Sequence, residues 1–161
     1  MLALRRLRHL GTAVPPRVWS ATFGVLWNRW ATARRRQASK SRCLLGCEWG
    51  EDSVEHYGQC KMVHGFARRR LHLLCRFARP FEYWMLTTTD DAETTKHLWW
   101  ERLALLHYAV LRTTNSARQI GGISGDAVER ALWQAAQEGA RGSPLLTMLR
   151  RVDRAASAAS V

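Results

Sequence analysis

Long apolar runs are missing from this chain. No stretch of about 18 apolar residues occurs, so no transmembrane helix is expected and no membrane partner is assigned. Met1 to Leu10 lacks a continuous apolar core, which argues against a secretory signal. Strand-like alternation is nearly absent, and no repeat of about 20–50 residues is visible, which removes most β and solenoid architectures. Acidic residues are scarce, with 13 Asp/Glu against 25 Lys/Arg and a net charge of +12. The shortage is local. Residues 1–42 carry ten Lys/Arg and no acid, whereas residues 43–161 carry 15 against 13. Such a stretch points to a polyanion as partner.

What is present fits one globular unit. A chain of 161 residues with 47% hydrophobic content and eight Trp can bury a core. Without a secretory signal the cysteines are expected as thiols in a reducing compartment, which favours metal over disulfides. The expected location is intracellular, nuclear or cytoplasmic, although an Arg-rich, acid-free start also fits a mitochondrial transit segment.

The most informative stretch is Cys43 to Cys60, C-L-L-G-C-E-W-G-E-D-S-V-E-H-Y-G-Q-C. Cys43, Cys47, His56 and Cys60 form two pairs, each with three intervening residues. Zinc is held tetrahedrally by thiolate and imidazole, and structural sites use two closely spaced pairs. Gly46 suits a knuckle turn. Asp52 or Ser53 can cap a helix, and Asp52 with Glu55 has capping-box spacing. His56 and Cys60 are then expected at i and i+4 on one helical face. Four protein ligands leave no open position, so one structural Zn2+ is expected rather than a catalytic metal.

Helical periodicity dominates elsewhere. Residues 1–13 read as a basic arm with a turn of helix around Leu2 to Leu10. Arg17 to about Arg36 has apolar residues at Trp19, Phe23, Leu26, Trp30 and Ala33, widened by Trp27, and predicts a helix with an aromatic core face. After Cys60 the pattern predicts continuous helix to about Arg79, ended by Pro80. Val63, Phe66, Ala67, Leu71, Leu73, Leu74 and Phe77 share one side. Lys61, Arg68, Arg69, His72, Arg76 and Arg79 share the other, a candidate phosphate-binding surface. Arg70 falls within the apolar side and needs a partner or a route to solvent. Cys75 reads as a packed thiol outside the ligand set. Phe81 to Leu86 reads as an extended connection. A helix capped by Asp90 runs to about Thr114 as a mostly buried central element, with His97 and His107 as surface or core histidines rather than a metal pair. Gly121, Gly122 and Gly125 mark a loop. Asp126 starts a helix with Val128, Leu132, Ala135 and Ala136 inward, and Ser143-Pro144 starts a last one with Leu145, Leu149 and Val152 inward.

The fold class expected is mostly α, about five helices, with a small Cys3His zinc knuckle between the first and second long helices. The expected divisions are a basic arm at 1–13, one helical domain at 14–154 with the zinc site at 43–60, and a flexible tail at 155–161.

Within Trp27 to Cys60, W-N-R-W-A-T-A-R-R-R-Q, C-L-L-G-C and E-D-S-V-E-H-Y-G-Q-C resemble the zinc-binding region that follows the polymerase in non-LTR retrotransposon reverse transcriptases. The resemblance implies Cys43, Cys47, His56 and Cys60 as the ligands, an aromatic helix before them and helices after. Two departures are Asp52 in place of Glu and three residues rather than two within the first Cys pair. The polymerase's aromatic-x-Asp-Asp motif is absent, as is any Ser/His/Asp or paired-carboxylate set. The function expected is a non-catalytic, zinc-stabilised module for the RNA or DNA backbone, of low sequence specificity and without a small-molecule substrate. Arg34, Arg35, Arg36, Lys61, Arg68, Arg69, Arg76 and Arg79 are its candidate contacts, and a polymerase domain is a further candidate partner. The alternatives are a zinc-stapled protein-interaction scaffold or a retroelement remnant.

Overall fold

The computed structural model describes residues 2–33, 41–73, 80–88 and 98–158, with side chains described up to Arg151. The protein is mostly helical, and a Cys–His–Cys group lies between helices. Eight helices occur among the described residues: α1 Leu2–Ala13, α2 Pro16–Leu26, α3 Val54–Tyr57, α4 Lys61–Leu71, α5 Pro80–Trp84, α6 Trp99–Gln119, α7 Asp126–Ala140 and α8 Pro144–Ala158.

Helix α6 is the axle. Thirteen of its 21 residues are buried, because apolar residues cover nearly its whole circumference. It packs against α7, α2, α1 and α4. The expected central helix is therefore present, starting at Trp99 and continuing past Thr114 to Gln119. Residues 89–97, with the expected Asp90 cap and His97, lie outside the described residues. Helix α7 buries Val128, Leu132, Ala135 and Ala136 as the pattern requires. Its N-cap is Gly125 rather than Asp126, which supplies acidic charge to the first turn instead. Helix α8 opens on Pro144 and buries Leu145 and Leu149. It continues through Ala158, into the stretch expected as a tail.

Three boundaries differ from the periodicity, and each has a local cause. Helix α2 stops at Leu26, ten residues before the expected end. Asn28 takes the left-handed conformation (φ +47°), so Arg29 N–H returns to the Gly24 carbonyl (2.7 Å) and Asn28 N–H to that of Val25 (3.1 Å). That is a Schellman closure with Asn in the usual Gly position. The chain then doubles back. The Trp30 indole donates to the Ala21 carbonyl (3.0 Å) and lies against Gly24, where a Cβ would come within 2.9 Å of the ring. Burial accordingly follows Val18, Ala21, Thr22 and Val25, not the aromatic stripe. Trp19, Phe23 and Trp27 instead stack on one another along the outside, at centroid distances of 5.2 and 4.3 Å.

The helix expected from the second ligand pair to Arg79 is two helices, α3 and α4, and α4 ends at Leu71. His72 is left-handed (φ +50°), and Leu73 N–H returns to the Ala67 carbonyl. Residues 74–79 lie outside the described residues. Pro80 opens the short helix α5 rather than ending one, so Phe81 to Leu86 is not an extended connection. Finally, residues 2–13 are a docked helix rather than a free arm. Leu7 and Leu10 are buried, and α1 packs on α2 and α6 while Arg5 and Arg8 stay exposed. No described helix is long and apolar enough to cross a membrane.

His107 of α6 is fully buried, its ring edge-on to Trp84 at 4.4 Å. The Thr22 hydroxyl donates to the Val18 carbonyl, so its oxygen accepts from His107 Nδ1 (3.2 Å) and fixes the tautomer. Burial pushes the imidazole down to about 3. The unfolded chain takes up this proton near pH 6.5 and the native state near 3, so stability falls as pH drops through that window. Between about pH 5.5 and 4, native protein should lose about 1.4 kcal/mol per pH unit more than His107→Gln does in urea unfolding. Parallel pH profiles would refute a buried neutral imidazole.

Candidate metal centre

The centre is built on a short irregular loop. Arg42 and Glu51 form an isolated antiparallel bridge. Cys43 N–H donates to the Gly50 carbonyl (2.8 Å) and Asp52 N–H to that of Ser41 (3.0 Å). Gly46 turns the loop with φ +70°. A β-carbon there would meet the Ile123 carbonyl oxygen and Ser124 at 3.0 Å, so glycine is required by conformation and by contact. Ile123 N–H in turn donates to the Leu44 carbonyl (2.9 Å). The loop is thus seated on the Gly121–Gly125 connection between α6 and α7.

Asp52 fixes the other side. It is 1% exposed and is not a helix cap. Its carboxylate accepts the Tyr57 hydroxyl (2.8 Å), the Ala33 N–H (2.8 Å) and the Arg118 guanidinium (2.9 and 3.0 Å). Ser53 takes the capping role and accepts His56 N–H (3.0 Å). Burial, then the Asp52 carboxylate, pushes the Tyr57 phenol well up, so it stays a donor.

These constraints bring Cys43, His56 and Cys60 together, with one donor atom of each within 4.8 Å of the others. The Cys43 and Cys60 sulfurs are 3.9 Å apart, far beyond the roughly 2.05 Å of a disulfide. His56 Nε2 is buried without a hydrogen-bond partner among the described residues. Gly50 lies flat against the imidazole, and a β-carbon at that position would overlap the ring. Close sulfurs and a buried imidazole nitrogen without a partner fit a bound metal ion. His56 and Cys60 do not share one helix as expected. His56 sits in α3, and Cys60 is the N-cap of α4, where helix backbone groups favour a thiolate. Cys47 is buried at 7% exposure but lies outside the mutually close trio.

The two sulfurs are unequal. The two thiols share one hydrogen bond, which, against the opposing effect of burial and with help from His56, pushes the Cys43 thiol down. The same bond, and then burial, pushes Cys60 up. One thiolate is therefore already favoured at neutral pH.

The candidate phosphate contacts divide. Lys61 and Arg68 are exposed on α4 as expected. Arg69 is committed to Glu129 of α7 (2.6 and 3.1 Å). Arg70 binds the same carboxylate (2.9 Å) and lies over the Trp133 ring, which answers how it leaves the apolar side. Arg34, Arg35, Arg36, Arg76 and Arg79, and Cys75, lie outside the described residues. Sequence reasoning missed Arg118, whose only signal was its place in the last turn of α6 before the glycine loop. Comparison with protein-family models, curated proteins and solved structures gives no match.

Two outcomes follow from this geometry. Asp52→Asn should cost on the order of 3 kcal/mol in denaturant unfolding, since the Arg118 charge loses its partner; a cost below about 0.5 kcal/mol would remove Asp52 as the anchor. Gly50→Ala should displace the imidazole and lower metal content by elemental analysis while leaving far-ultraviolet circular dichroism unchanged. Full metal content in that variant would rule out His56 as a ligand.

Proposed function

We propose that the chain is a non-catalytic, zinc-stabilised module that binds the RNA or DNA backbone, and that its centre holds one structural Zn2+. Tetrahedral zinc with bonds of about 2.3 Å to sulfur sets sulfurs about 3.8 Å apart, and the 3.9 Å between Cys43 and Cys60 matches it. Cys43, His56 and Cys60 supply three ligands, and the sequence spacing offers Cys47 as the fourth. When bound, the ion supplies a cross-link and no chemistry on a substrate. The resemblance of Trp27–Cys60 to the zinc-binding region of non-LTR retrotransposon reverse transcriptases supports the same reading, with a polymerase domain as a further candidate partner.

The observation that carries the function is that Cys60 caps the helix whose exposed side carries Lys61 and Arg68. The metal centre therefore helps set the pose of a basic helix. Arg5 and Arg8 on α1 add exposed charge, and no acidic residue precedes Glu48. The basic side chains of residues 34–36, 76 and 79 belong to the same reading on sequence alone. Phosphate contacts of this kind are sequence-tolerant and release counterions.

A second reading, a zinc-stapled scaffold for a protein partner, is favoured by Trp27, which is 47% exposed; the burial of Trp30 weighs against it. Titration of a labelled oligonucleotide across salt concentrations separates the two. The log–log slope should be steep, about −0.7 to −0.9 per phosphate contacted, and Arg68→Ala should reduce its magnitude by about one without changing sequence preference. A slope near zero would exclude the nucleic-acid reading and leave the scaffold.

A further inference from the structure

The loop that carries the metal centre also carries Trp49, between Cys47 and Gly50, and this indole is 87% exposed. Glu48 is exposed beside it, and no Lys or Arg occurs between Cys43 and Cys60. A protruding Trp beside an exposed carboxylate fits an apolar depression with a cationic border.

Such a depression lies on the same chain, between α1 and α2. It measures about 380 Å³ and is lined by Leu4, Leu7, Arg8, Gly11, Pro16 and Trp19. Leu4 is 49% exposed at its edge. Arg8 stands in its lining and is exposed. The depression has room for an indole, and an Arg at its wall can lie over the ring face.

We propose that Trp49 of one copy seats in the α1–α2 depression of a second copy, with Glu48 facing Arg8. Made reciprocally by two copies, the contact closes a two-fold dimer; made in one direction, it extends a chain. A single aromatic anchor with a charged rim buries less than the roughly 1,200 Å2 of stable complexes, so association is weak and rises with concentration. The proposal does not depend on nucleic-acid binding.

The test uses full-length, metal-loaded protein freed of nucleic acid, with mass followed by sedimentation equilibrium as concentration is raised. The unaltered chain should rise above the monomer mass. Trp49→Ala, Leu4→Glu and Arg8→Glu should each weaken association about tenfold or more, with metal content and helicity unchanged because all three side chains are exposed. Mixing locates the seat. Trp49→Ala retains an intact depression and Leu4→Glu an intact Trp49, so an equal mixture should associate where neither does alone. A monomer at every concentration, an association untouched by Trp49→Ala, or a mixture no heavier than its components overturns the proposal. So does a Trp49→Ala variant that loses oligonucleotide affinity with no change in mass, which would make Trp49 a base-stacking residue.

Discussion

The buried carboxylate of Asp52 is the constraint on which the metal centre's pose depends. Four donor groups meet there: a backbone N–H from the segment after Trp30, the phenol of α3 and the Nε and Nη2 of Arg118 at the end of α6. A buried ion pair is poor evidence of net stability, because desolvation offsets most of the attraction. Its effect here is positional. Loop 41–53 has no regular secondary structure to fix it, and one acid ties three separate stretches of chain to a single point. The Leu44–Ile123 backbone bond and the close approach at Gly46 fix the loop's opposite edge. Between these two attachments Cys43 can only face the start of α4.

Much of the fold could be read from the residues, and three of the four metal-site candidates, Cys43, His56 and Cys60, do lie together. Apolar spacing located α4, α6, α7 and α8, because helices that bury one side write a 3.6-residue period regardless of their partners. Ends were harder. Asn28 and His72 stop their helices by adopting left-handed φ, a conformation that costs a non-glycine residue little when a Schellman bond or a buried follower such as Leu73 compensates. Nothing in the apolar period records that. The Trp19–Phe23–Trp27 stripe misled for a different reason. Large rings at i, i+4 and i+8 look like a core, yet stacking on one another satisfies them at the surface, while smaller Val18, Ala21 and Val25 let α2 approach α6. Asp52 read as a cap because local spacing cannot reveal a partner 66 residues away.

Charge is partitioned in the same way. The excess of +12 is concentrated before Cys43, and the acids are spent at specific points. Glu129 gathers Arg69 and Arg70 into the contact between α4 and α7, Glu101 meets His9, and Glu138 accepts the Tyr108 hydroxyl. The Arg69 and Arg70 pairs with Glu129 are partly exposed and each worth little. Their consequence is orientation: they draw Arg69 and Arg70 toward α7, while Lys61 and Arg68 stay exposed.

The metal centre and the helical core are therefore coupled in one direction. Cys43, Leu45, Val54, Tyr57 and Cys60 belong to the same buried cluster as α6 and α7, so apolar burial and hydrogen bonds of the chain itself bring the donors together. Binding energy is then not consumed in closing the loop, which is the main cost where ligands sit on an unfolded chain. What remains is removal of protons, which the hydrogen bond between the two thiols eases for the first sulfur and opposes for the second. An ion bound at such a site would meet geometry already present. It would stop His56 and Cys60, on two consecutive helices, from rotating apart. The direction of α4 is set first by Val63, Phe66, Ala67 and Leu71 in the core, and a bound ion would add to that restraint.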